Sequence, residues 1–144
     1  MHRTKRIYLA GGIQKFFDND KMTEAKTWRE EIAELYKDND EIQIIDPVKL
    51  FEFRNDYSLG KERIILEQEF ELIQESDLVV AYFNDPKSLG TMSEITAAYV
   101  YGVPVVGVTN NIYACVSLHT WQKLLCKYLV YWDEVKDVID YAIK

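Results

Sequence analysis

Short apolar runs alternating with longer amphipathic stretches predict an α/β chain of the flavodoxin-like or Rossmann-like kind, a three-layer fold around a five-stranded parallel sheet. Two observations carry this prediction. The runs Leu78 to Phe83 and Val103 to Val108 are almost unbroken hydrophobic sequence, as strands covered on both faces require. The stretches between runs are long enough to return the chain through a helix, so that successive strands lie parallel. Strand order 2-1-3-4-5 is the leading topology.

The strands are expected at Arg6 to Ala10, Ile42 to Ile45, Leu78 to Phe83, Val103 to Val108 and Tyr128 to Trp132. Thr23 to Tyr36 puts Ala25, Trp28, Ile32 and Leu35 on one helical face, with its charges elsewhere. Gly60 to Glu75 sets Ile64, Ile65, Phe70, Leu72 and Ile73 among acidic residues and is expected to cover one face of the sheet. Further helices are read at Met92 to Tyr101, Val116 to Cys126 and Asp133 to Ile143. No repeat, linker or low-complexity tract divides the chain, so residues 1–144 are read as a single domain.

A hydrophobic content of 48% with 13% aromatics is ample for a packed core. A net charge of −7 opposes nucleic-acid and anionic-membrane partners, which draw affinity from a basic field. The short basic start His2-Arg-Thr-Lys-Arg6 reads as a solvated approach to the first strand. No signal peptide or transmembrane run is visible, and a soluble, cytoplasmic protein is expected. Cys115 and Cys126 read as free buried thiols, and the isolated His2 and His119 suggest neither a zinc site nor any other metal site.

In the 2-1-3-4-5 order the connections reverse between strands one and three. The loops Gly11 to Lys21 and Asn84 to Ser88 then face each other across the crevice where such sheets bind ligands, with Asn110 and Asn111 beside it. Ser88-Leu-Gly-Thr-Met-Ser-Glu94 enters this crevice. Glu94, if in the first turn of the following helix, is favoured as a carboxylate by the helix dipole. Thr91-Met-Ser-Glu94 is equally a capping box, and on that reading loss of Glu94 costs only about 1 kcal/mol. Tyr8-Leu-Ala-Gly-Gly12 ends the first strand with two glycines, which serve a tight turn or a close approach to ligand. It is neither a G-x-G-x-x-G fingerprint nor a P-loop. Tyr8 reads equally as a strand aromatic with its hydroxyl at the sheet edge. Of Glu67, Glu69 and Glu71, only Glu69 is expected to turn toward the crevice, while Asp77 is read as a structural cap.

Ile7-Tyr-Leu-Ala-Gly11, Glu69-Phe-Glu-Leu-Ile-Gln-Glu-Ser-Asp77, Gly90-Thr-Met-Ser-Glu94 and Gly102-Val-Pro-Val-Val106, in this order and spacing, resemble the nucleoside 2-deoxyribosyltransferases and the related 5'-monophosphate N-hydrolases. The resemblance runs through most of the chain. It implies a flavodoxin-like sheet, a homo-oligomer, and no cofactor. It implies that Glu94 is a nucleophile that takes deoxyribose as a covalent ester, that Tyr8 positions it, and that Glu69 holds or protonates the base. It further places Gly11, Gly12, Ser88 and Gly90 about the substrate, and assigns Asn111 and Tyr113 to a segment a neighbouring subunit contributes at the sugar's 5' end. The substrates it implies are a nucleoside or nucleotide and a free base.

Two departures from the family pattern bear on substrate. Glu69 stands where the family usually has Asp, and Ser88 stands where transferases commonly carry Asp. A serine there resembles the monophosphate N-hydrolases, since an aspartate repels a phosphate dianion. The loop after Gly11 lacks the arginine those hydrolases tend to have, and Lys15 replaces it only if the loop folds back. An aromatic from Phe16-Phe17 or Trp28 is available to stack on the base, although both are equally core or lid residues. Deoxyribosyl transfer is the leading expectation. Monophosphate N-hydrolysis is the alternative, and a non-catalytic nucleotide-binding or sensing module is a reading from another class.

Overall fold

A computed structural model describes residues 3–13, 21–51 and 59–144. Five strands, β1 (Lys5–Gly11), β2 (Ile42–Ile45), β3 (Leu78–Tyr82), β4 (Val105–Thr109) and β5 (Tyr128–Tyr131), form one sheet of order β2-β1-β3-β4-β5. Every pairing is parallel. The expected flavodoxin-like topology is therefore the observed one. β3 occupies the centre, flanked by β1 and β4, and the fully buried runs lie where both faces are covered.

The helices are α1 (Met22–Leu35), α2 (Pro47–Leu50), α3 (Leu59–Gln74), α4 (Leu89–Val100), α5 (Ile112–Ser117), α6 (Thr120–Leu125) and α7 (Val135–Ala142), the last preceded by a 3-10 turn. Strand alternation divides the core in two. Tyr8, Ala10, Val79, Ala81 and Val105 pack with Ile73 of α3, Ile95 and Ala98 of α4, and Leu125 of α6. Ile7, Leu9, Val80, Val106 and Val108 pack on the opposite face with Trp28 and Ile32 of α1 and Ile139 of α7. Tyr8 thus points toward the helix that carries Glu94.

Several boundaries differ from the sequence reading, each for a local reason. β4 starts at Val105 because the Val103 N–H turns back to the Ala98 carbonyl at 2.8 Å and Pro104 has no N–H to give. Gly102, at φ 75°, makes that exit from α4 possible. The single helix expected over Val116 to Cys126 is two, α5 and α6. Leu118 is extended between them, and His119 starts α6 by accepting the Trp121 N–H on Nδ1 while Gln122 returns a bond to the His119 N–H.

Leu35 is 41% exposed, and Tyr36 takes the buried position four residues after Ile32 in its place. Ile64, 55% exposed, likewise lies off the buried stripe of α3, which runs through Ile73. At the other edge of the sheet, Asp77 accepts the Arg6 N–H at 2.8 Å and pairs with Arg3, while Arg6 pairs with Glu75. Arg3 and Arg6 of the basic start are engaged there, and Asp77 is structural as expected.

Candidate active site

Past the carboxyl ends of β1 and β3 the Gly12 N–H donates to Asn84 Oδ1 at 2.9 Å. The described start of the first loop therefore meets the start of the second, as the topology requires. Gly11 has no room for a side chain, because a Cβ there lies 2.6 Å from the Trp28 ring. Trp28 is buried in the core against Gly11 and edge-on to Tyr82, with ring centroids 5.2 Å apart, and so is packed away from a base-stacking position. Lys15, Phe16 and Phe17 lie outside the described residues.

Glu94 is 6% exposed, and the wholly buried Tyr8 donates its hydroxyl proton to Glu94 Oε2 at 2.5 Å. A strand residue and a helix residue distant in sequence are brought together because position 8 faces α4. The expected capping box is absent. α4 begins at Leu89 with Ser88 as its cap, whose Oγ accepts the Thr91 N–H at 3.1 Å and the Thr91 hydroxyl at 3.0 Å. Thr91 is therefore the third helical residue, and Glu94 lies a turn deeper, past the reach of the dipole. Burial, not the helix end, governs its charge.

Burial raises the Glu94 carboxyl well above the ordinary carboxylate range, and the nearby Glu69 charge raises it further. The Tyr8 hydrogen bond and the Arg29 charge pull the other way. Glu69, on α3, is also raised by burial and lowered by Arg29, whereas Glu67 and Glu71 are exposed. Two buried carboxyls that feel each other in this way titrate as a pair. Desolvation first, then the charge of Glu94, raises the Tyr8 phenol, so it stays a donor.

The sequence reading missed Arg29. It is 0% exposed and reaches Asp46 Oδ1 at 3.5 Å. Its spacing did signal burial, since position 29 follows Ala25 by four residues and precedes Ile32 by three on the apolar face of α1.

Among the described residues, none of the remaining predicted ones is hydrogen-bonded to Glu94. Gly90 is exposed in the first turn of α4. Asn111 caps α5 by accepting the Ala114 N–H at 2.9 Å, and Tyr113 on that helix is 80% exposed. Among the described residues no group of three or more His, Cys, Asp or Glu is arranged to hold a metal ion. None of the described helices is long and apolar enough to cross a membrane.

Residues 4–112 match the family model described as nucleoside 2-deoxyribosyltransferase like. No curated protein matches the chain. Among solved structures, a conserved protein from Enterococcus faecalis superposes with TM-score 0.69 at 21% identity, covering 96% of this chain and 97% of its own. A 2-deoxyribosyltransferase from Bacillus psychrosaccharolyticus gives 0.58 at 19% identity, with coverages of 92% and 89%. A CMP N-glycosidase from Clostridium botulinum gives 0.58 at 20% identity, with coverages of 97% and 100%. At these identities the structural likeness speaks for the fold, and the family model spans most of the chain. The chain belongs to the nucleoside 2-deoxyribosyltransferase-like family of N-glycosyl-transferring and N-glycosyl-hydrolysing proteins.

Proposed function

We propose that residues 1–144 act as one catalytic domain that cleaves the N-glycosidic bond of a 2'-deoxynucleoside and passes the sugar to a second base. The observation that carries this reading is the buried Glu94 held through Oε2 by the Tyr8 hydroxyl at 2.5 Å, beside the crevice closed by Gly12 and Asn84. With Oε2 held, Oε1 attacks C1' of the sugar. The C1'–N bond breaks, its electron pair leaves with the base, and the Glu69 carboxyl supplies the proton that neutralises it. The carboxylate stabilises the oxocarbenium-like sugar before bonding to it. A second base then attacks C1', the ester bond breaks to restore Glu94, and Glu69 recovers the proton from the incoming nitrogen. The raised Glu69 suits that acid and base role; burial raises Glu94 as well, and the Tyr8 hydrogen bond is the contact that favours charge on Glu94 in particular.

Monophosphate N-hydrolysis is the second reading, favoured by Ser88, which brings no charge to the start of α4. In that case water replaces the second base. The full-length coverage of the Clostridium botulinum CMP N-glycosidase accords with it. Chromatography of a deoxynucleoside with a different free base, alongside the corresponding 5'-monophosphate, tests both. A new deoxynucleoside made by the wild type and not by E94A supports transfer, and base released mainly from the monophosphate supports hydrolysis. Binding with no product from either leaves the nucleotide-sensing module.

A second copy of the chain belongs to the same proposal. Tyr99, Ile112, Tyr113, Val116, Trp121 and Leu124 are each at least 58% exposed along α4 to α6. So much exposed apolar surface suits an interface. Burying it against a second copy carries Asn111 and Tyr113 toward that copy's crevice. A cytoplasmic site of action completes the reading.

A further inference from the structure

Among the described residues, Arg29 is the bulkiest side chain that is wholly buried. Its guanidinium answers a defect in the sheet. β2 ends at Ile45, opposite Tyr8, while β1 runs on to Gly11. Alternate carbonyls of β1 point to the β2 side, and those of Leu9 and Gly11 lie past its end, where no strand N–H can meet them. Arg29 Nη1 donates to the Leu9 carbonyl at 2.8 Å and Nη2 to the Gly11 carbonyl at 3.2 Å, while Nε is fixed on the Ala25 carbonyl at 3.0 Å. The planar fork suits two carbonyls two residues apart on one strand edge.

A neutral donor could fill the same gap without the cost of burying a charge. The charge therefore needs its own explanation, and its surroundings supply one. The acidic groups that act on Arg29 come from four places: Tyr8 on β1, Asp46 after β2, Glu69 on α3 and Glu94 on α4. Asp46 at 3.5 Å is its ion-pair partner, which leaves the two glutamates to share what remains of its field. Arg29 favours the ionised form of both, against their burial.

We propose that Arg29 is a positioning residue of the candidate active site. It pins the end of β1 that carries Tyr8 and Gly11 through the Leu9 and Gly11 carbonyls, and it sets a buried positive charge beside the Glu69 and Glu94 carboxyls. This deepens the glycosyl-transfer reading and rests on it for the catalytic role, whereas the placement of the charge does not.

The test uses R29M, R29K and D46N with two readouts: carboxyl carbon NMR titration of the glutamates, which needs no turnover, and the pH dependence of kcat/KM for base release. R29M is expected to move ionisation of the pair, and the acid limb of the rate profile, upward by about one pH unit or more. R29K moves both less, and D46N moves both downward, because it frees the Arg29 charge while Asn still caps α2. If R29M fails to fold, R29K and D46N decide. Folded variants whose glutamates titrate like the wild type overturn the proposal. Titrations that move in a protein with no base release uphold Arg29 and reject glycosyl transfer.

Discussion

Replacing Glu94 by Gln is expected to abolish turnover and yet stabilise the protein at alkaline pH. The folded chain holds the Glu94 proton at pH values where an unfolded glutamate, with its ordinary value of about 4.3, has released it. Folding therefore binds protons across that window. Stability is full below the unfolded value and falls as pH rises through the raised folded one. Each pKa unit of separation is worth about 1.4 kcal/mol, so with the Glu94 carboxyl pushed up to about 8 the loss by pH 8 is about 5 kcal/mol. Glutamine keeps an acceptor for the Tyr8 hydroxyl and carries no charge, so its variant escapes that loss. Denaturant unfolding at half-unit steps from pH 4.5 to 8.5 measures the two curves. They should converge near pH 4.5 and separate as pH rises. Parallel curves, or a glutamine variant less stable at pH 8, refute the claim that Glu94 is held by burial against its own charge.

Other perturbations probe the remaining parts. Y8F removes the donor on Glu94 Oε2, and its loss should lower kcat about 10- to 100-fold with little change in KM, as steady-state kinetics will show. G11A drives a methyl into Trp28 and should cost about 1–3 kcal/mol in chemical denaturation, with activity falling alongside. S88A removes the α4 cap and should cost about 1 kcal/mol, whereas S88D keeps a cap and should selectively suppress any activity on a 5'-monophosphate, read by base release. W121E with L124E charges the exposed face of α6 and should convert an oligomer to a monomer in light scattering; an unchanged mass rejects that face as the interface.

The sheet was legible because its signal is local and repeated. Apolar runs such as Leu78 to Tyr82 announce strands, and their order fixes which loops meet. That the chain after β1 meets the chain after β3, where Gly12 bonds to Asn84, follows from that order. Helix starts were less legible, because Ser88 and Thr91 are both good caps and only packing of Glu94 under α4 decides between them. The break at Leu118 was hidden for the same reason, since His119 is an uncommon cap. Arg29 was hidden by its type. An arginine reads as solvated unless the β1 carbonyls it serves are already known to overrun β2, and that fact belongs to sheet register.

Burial places opposing demands on the proposed mechanism. It keeps water from the sugar ester, which is what lets a second base compete for C1'. It also opposes the charge on Glu94 that the attack requires. A hydrogen bond from Tyr8 and the field of Arg29 counter part of that opposition without admitting solvent, one from the sheet face beneath α4 and the other from the overrun end of β1. They act on the same carboxylate by separate routes, so their losses should compound. Y8F combined with R29K should lower kcat/KM by more than either change alone, while moving the acid limb no further than the two shifts summed. A double variant no slower than Y8F would mean that Arg29 acts only through Tyr8, as a strut for β1 and not as a charge.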